Sequence, residues 1–169
     1  MKSSKLFASI VLLLAVQLIS LSSFAAELHF EDYKVALIFQ GDNHKLVVKE
    51  DNDDSWSLYR KQAIKKPVNF AGHYVVFAAG CGGGAICGEV LDAQTGEIAT
   101  SFPNAYEIDS ADGSYYEASF RLDSRLIVIS GVAADHERGM NDEKLASANR
   151  TRYFVLKDGQ LQLLKIVDE

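Results

Sequence analysis

Three features of the sequence predict a mainly β, α+β fold, built as a single twisted antiparallel meander of about nine strands with one packed helix. Short apolar runs of strand length follow one another along the chain, turn residues stand between them, and only one segment carries helical spacing with both a start and a stop signal. In chain order the strands are expected over Tyr33 to Phe39, Lys45 to Lys49, His73 to Ala79, Cys87 to Asp92, Glu97 to Ser101, Tyr115 to Leu122, Arg125 to Ser130, Thr151 to Leu156 and Leu161 to Val167. The helix lies between the second and third. Asp53, Asp54 and Ser55 offer N-caps and negative charge, Trp56, Tyr59 and Ala63 follow at i, i+3 and i+7, Lys61, Lys65 and Lys66 sit at the far end, and Pro67 stops it.

The joints carry turn chemistry. Lys157-Asp158-Gly159-Gln160 holds the Asp-Gly pair of a two-residue type I′ hairpin, in which both central residues need positive φ. Asp92-Ala93-Gln94-Thr95-Gly96 suits a longer hairpin loop with Gly96 left-handed, and Asp123-Ser124 is a short turn between two apolar runs. Strands joined so closely must be antiparallel neighbours. From Asp135 to Arg150 mixed charge, Gly139 and Asn141 break the pattern, which reads as an exposed excursion with a helical turn or two around Glu143 to Ala148. The run from Phe120 to Val128 resembles the strand-turn-strand of a propeller blade, but four blades of roughly 40 residues exceed the length at hand.

The N-terminus differs in kind. Lys2 and Lys5 precede an apolar run from Leu6 to Leu21 interrupted strongly only by Gln17, and Ser23 and Ala25 put small residues at the −3 and −1 positions of a cleavage site. This is the pattern of a signal peptide over residues 1–25, with a single β-rich domain over 26–169. Without Lys2 and Lys5 the 17 basic residues fall to 15 against 23 acidic ones, a formal charge of −8. That sign argues against nucleic acid or an anionic membrane as the main partner. No cysteine precedes Cys81, so no lipid anchor is expected at the junction, and no second apolar run reaches the roughly 18 residues of a spanning helix. A periplasmic or secreted, soluble product is the expectation.

Cys81 and Cys87 enclose Gly82-Gly83-Gly84-Ala85-Ile86. In an exported chain, two cysteines this close read as a disulfide. Their spacing is neither the C-x-x-C of a thiol oxidoreductase nor half of a zinc site. The glycines lack the Lys and Ser/Thr of a phosphate loop, and they suit the turning of a tight ring. Upstream, Phe70-Ala71-Gly72-His73-Tyr74 places a titratable ring at the start of a strand, where it is either bonded to backbone in the core or presented to a ligand. His29, His44 and His136 are scattered, without metal-binding spacing. The acidic clusters at Asp51, Asp53 and Asp54 and at Asp109 and Asp112 miss the calcium-loop register, and capping and turn formation account for them. No metal and no cofactor is expected. There is no G-x-S-x-G and no nucleophile flanked by a recognisable base.

Asn69-Phe70-Ala71-Gly72-His73-Tyr74, Gly80-Cys81-Gly82, Val90-Leu91-Asp92 with Thr95-Gly96, Asp123-Ser124-Arg125-Leu126 and the closing Tyr153-Phe154 hairpin together resemble a group of small, exported, uncharacterised bacterial proteins with an N-F-A-G-H-Y... G-C-G motif. The likeness covers roughly residues 55–165. In that group the second cysteine usually falls where Ala85 stands. Here it is Cys87, an even step along a strand, so the side chain keeps its face and the ring grows larger. The resemblance implies the domain and its export, and no activity.

Small size, a disulfide, an acidic surface and the lack of a catalytic signature point to a binding protein whose partner is another protein or an envelope ligand. An inhibitor or immunity-type protein against a hydrolase or toxin is one form of this reading. The binding surface is expected around His73, Tyr74, Gly82, Gly83 and Gly84, because five glycines between Gly80 and Gly88, a disulfide and an imidazole fall close together in sequence. A hydrolase using His73 with Asp92 or Glu89, or a structural component of an envelope assembly, are the alternatives. A ligand held at His73 would favour the first alternative and self-assembly the second.

Overall fold

The computed structural model describes residues 27–47, 55–111 and 113–169. The expected signal peptide, the caps Asp53 and Asp54, the end of the second expected strand and Asp112 lie outside these residues. The class is as the sequence predicts, mostly β with one α-helix, but the described strands number eight and form two sheets where one meander was expected. In the first sheet β1 (Tyr74–Gly82), β2 (Ala85–Asp92) and β3 (Ile98–Ser101) pair in that order, and the short β4 (Tyr106–Glu107) also pairs with β2. In the second, β5 (Glu117–Phe120), β6 (Leu126–Val132), β7 (Asn149–Lys157) and β8 (Gln160–Asp168) run in sequence order. All pairs are antiparallel.

Period-two alternation explains why the chain needs two sheets. Val75 and Val76 are both buried, as are Val90 and Leu91, yet neighbours in a strand point to opposite faces. Val76 and Val90 join Phe70, Phe102 and Tyr106 against Ile127, Ile129, Phe154 and Leu156 of the second sheet. Val75 and Leu91 join Ala63, Ile64 and Ala93 on the other face, under α1 (Ser55–Ala63). The first sheet is thus the middle layer of three and is apolar on both sides. One sheet with one covering helix would leave half of these side chains in water.

Helix α1 ends at Ala63, before the Lys65, Lys66 and Pro67 expected to close it. The Asn43 amide donates to the carbonyls of Ile64 (2.7 Å) and Lys66 (2.8 Å), satisfying groups that the helix leaves open just before Pro67. Both hairpin expectations hold in their dihedrals, with Asp158 at φ 51° and Gly159 at φ 72°, and Gly96 at φ 78°.

Among the described residues, the strand expected over Tyr33 to Phe39, the described part of that expected over Lys45 to Lys49 and the helical turn expected around Glu143 to Ala148 do not form. Residues 34–47 form no strand: Lys34 makes one isolated antiparallel bridge with Ser124, and beyond it each touch is a single backbone bond to a different partner, Phe39 to Gly72, His44 to Ala93 and Val47 to Gly96. Beyond that bridge the segment has no continuous neighbour with which to extend a ladder. A short 3-10 helix at Phe30–Tyr33 precedes it. No helical turn forms at residues 143–148, where the excursion is held by charged side chains instead.

Candidate functional site

The motif from Asn69 to Tyr74 is first a folding device. The Asn69 side chain accepts from Val76 N (2.8 Å) and donates to Val76 O (3.0 Å), acting as one residue of an extra strand beside β1. Ala71 (φ 45°) and Gly72 (φ 83°) then turn sharply, and their amides donate to Ser124 and Leu122 in the β5–β6 connection. A Cβ at Gly72 would stand 2.4 Å from the Leu37 carbonyl, so only glycine fits this approach. The turn sets His73 at the seam between the two sheets.

There His73 Nε2 lies 3.7 Å from Asp92 Oδ2, an ion-pair distance when the ring is protonated, and the imidazole packs on Tyr74 with ring centroids 4.0 Å apart. Tyr74 and Asp92 are paired across β1 and β2, which is why the three side chains meet. Burial raises the Tyr74 phenol above its ordinary range, and the negative charge of Asp92 adds to the shift. His73 and Tyr74 line a cleft of about 340 Å³ with Val35, Leu37, Ala71, Arg125 and the Leu156–Gly159 hairpin end. Leu37 is 84% exposed at its rim. The lining holds no serine, threonine or cysteine.

Glu89, the other acid expected to serve His73, is turned elsewhere. Three residues from Asp92 along a strand, it faces the opposite side of the sheet, where it accepts from Trp56 Nε1 (2.7 Å) and from Arg60 Nε (2.8 Å) and Nη2 (2.6 Å). It fastens α1 to β2.

Gly82, Gly83 and Gly84 do not join His73. Gly82 closes β1 and Gly83 and Gly84 form the β1–β2 turn, with φ 99°, 60° and 76°, while His73 stands just before the other end of β1. Eight residue steps at about 3.3 Å put them roughly 26 Å from Tyr74. Cys81 and Cys87 are disulfide-bonded across this turn, with Cα atoms 5.7 Å apart. A second cleft of about 370 Å³ lies beside the disulfide, with Trp56, Phe102 and Asn104 among its walls. The expected single surface is therefore two places at opposite ends of one hairpin, because proximity in sequence is not proximity along an extended strand.

A wider cleft of about 590 Å³ between residues 41–46 and 61–67 is rimmed by Lys45, Lys61, Lys65 and Lys66. Lysines at the end of α1 already have a reason to be there in the helix dipole. No group of three or more His, Cys, Asp or Glu among the described residues is arranged to hold a metal ion.

The sequence reading missed Leu37, Arg125 and Lys157, which come from three separate segments and carry no shared spacing. It also missed the cluster that pins the excursion. Glu137 accepts from Arg150 (2.9 Å) and is doubly bonded by Arg152, which also donates to the carbonyls of Gly131 (2.9 Å) and Arg150 (2.7 Å). A legible signal existed, since Arg150 and Arg152 stand two apart in a strand and must share its inner face with Phe154 and Leu156.

No family model matches this chain, and no match to it was found among curated proteins or solved structures. Among the described residues no helix is long and apolar enough to cross a membrane.

Proposed function

We propose that the protein is exported and acts in the periplasm or the medium as a binding protein, capturing a partner protein or envelope ligand at the His73–Tyr74 cleft. The observation that carries this reading is the composition of the cleft. Exposed apolar surface at Leu37, with the partly buried Val35 next to it, lies beside an imidazole, a phenol and opposite charges at Arg125, Lys157 and Asp158. Such a mixture suits an interface in which an apolar contact is framed by polar groups. The test is crosslinking and pull-down of the mature protein from its native envelope, comparing the parent with Leu37→Asp and His73→Ala. Loss of the same partner in both folded variants supports the reading, and unchanged capture places the interface elsewhere. Export itself is checked by mass spectrometry, with Ala26 expected at the mature N-terminus and an intact Met1 in the cytosol counting against it.

The 3.7 Å approach of His73 and Asp92 favours a second reading, in which the pair orients an imidazole for general acid–base work on a bound substrate. Turnover abolished in His73→Ala and reduced in Asp92→Asn, with binding retained, would select it over capture alone.

A further inference from the structure

The outer edge of β1 is open over a short, defined window. Val76 directs its N–H and C=O to the Asn69 side chain, away from β2. Backbone groups alternate direction along a strand, so Ala78 and Gly80 point the same way. The partner strand agrees, since Gly88, opposite Ala78, gives its carbonyl to Phe102 N (2.8 Å) on the far side. Among the described residues nothing pairs with the outward groups of Ala78 and Gly80, and both residues are exposed. The window is bounded by the Asn69 clamp at one end and the glycine turn at the other.

Edge strands are normally guarded by charge, proline or a covering element. β8, the long edge of the other sheet, carries Lys165 and Asp168. Between the Asn69 clamp and the irregularity at Gly80/Gly82, β1 has neither charge nor proline to guard it, for no charged residue occurs between Tyr74 and Gly88 in a chain with 24% charged residues. We infer that this edge is the dimer interface of the protein, and that its occupant is β1 of a second copy, paired antiparallel about a two-fold axis at Ala79.

The pattern is self-complementary in that register and in no neighbouring one. With Ala79 opposite itself, Ala78 faces Gly80 of the second copy, and each such pair exchanges two hydrogen bonds, so all four open groups of each edge are satisfied. A shift by two residues in one direction would place Gly80 opposite Val76, whose groups Asn69 already holds. In the other direction Ala78 would meet Gly82, beyond the register shift between Gly80 and Gly82. The axis also brings the Asn69-clamped end of one copy opposite the glycine turn of the other, where Gly82, Gly83 and Gly84 carry no side chain. An acidic protein can associate here because no like charges lie along the seam.

Sedimentation of the full purified protein over a concentration series tests this, alongside Ala78→Lys and Ala78→Pro. The exposed Ala78 side chain leaves room for lysine, and the proline removes an N–H that plays no part in the β1–β2 ladder. The parent is expected to dimerise with rising concentration and both variants to remain folded monomers by circular dichroism. Should the proline variant misfold, the lysine variant decides alone. A parent that stays monomeric to about 1 mM, the weak limit for a specific contact, overturns the inference, also if it binds an extended peptide along this edge instead. A dimer unaffected by Ala78→Lys overturns it as well.

Discussion

Arg152, only 1% exposed, is paired through Nε and Nη2, one edge of its guanidinium, to both oxygens of the Glu137 carboxylate, which the chain brings in from an irregular excursion outside the sheets. The same carboxylate receives Arg150, whose Nε donates to Asp168 (2.5 Å). Two positive and two negative charges thus close on one another, and the segment after β6 is tied down without a helix. Removing Glu137 leaves two guanidinium groups without their shared partner, one of them fully buried. Glu137→Ala is expected to destabilise by about 3 to 5 kcal/mol, read as a shift in the urea midpoint. A change under about 1 kcal/mol, the range of exposed pairs, would show the cluster to be solvated in solution.

Helix α1 should detach before the sheets do if Glu89 is lost. Trp56 is the sole tryptophan of the sequence, and it donates to Glu89 while its ring packs 5.6 Å from Phe77. Glu89→Ala is expected to cost about 3 kcal/mol and to shift Trp56 emission to longer wavelength. Retained emission with lowered global stability would mean that apolar packing alone holds the helix.

Two left-handed glycines should respond differently to the same change. At Gly159 a Cβ meets no atom within 4 Å, so Gly159→Ala has only the cost of positive φ, about 1 kcal/mol; the β-branched Gly159→Val should cost at least that much. At Gly96 the Cβ would lie 2.0 Å from the Lys45 carbonyl, and Gly96→Ala must also displace the segment that residues 44–47 lay across the β2–β3 loop. Its cost is expected to be larger by about 2 kcal/mol or more. Equal midpoints for the two alanine variants would show that segment to be loosely held.

Alkaline pH should weaken the fold through buried phenols. Burial pushes Tyr116 up to about 12, and it raises Tyr106 further, with Arg152 opposing. Unfolded phenols titrate near 10, so the native state keeps its protons where the unfolded state loses them. The stabilisation is full below pH 10 and is lost as pH rises from about 10 toward 12. Denaturation midpoints are expected to fall over that interval, and less steeply in Tyr116→Phe. The Tyr106 hydroxyl is buried without a hydrogen-bond partner among the described residues, so Tyr106→Phe should stay within about 1 kcal/mol of the parent at neutral pH.

Much of the local structure was legible because its causes are local. Asp158-Gly159 needs two positive φ angles, and Pro67 must end a helix, whatever surrounds them. Residues 33–39 misled for the opposite reason. Tyr33, Val35, Leu37 and Phe39 alternate like one strand face, but a strand exists only where a neighbour keeps running alongside, and here the pairing stops at the single bridge of Lys34 with Ser124. The candidate site was legible at His73 and Asp92 and illegible at Leu37, Arg125 and Lys157, which meet only when the two sheets close.

The sequence by itself determined the β class, the helix, the hairpin turns and the cysteine pair, since each depends on dihedral preference or spacing within a few residues. Only the tertiary structure decided that the strands divide into two sheets and that Glu89 is bonded to α1 while Asp92 lies beside His73. It also separated the glycine turn from the imidazole by the length of a strand. These outcomes depend on which apolar faces bury one another and on the alternation of side chains across a sheet, and long-range burial of that kind leaves no mark in the order of neighbouring residues.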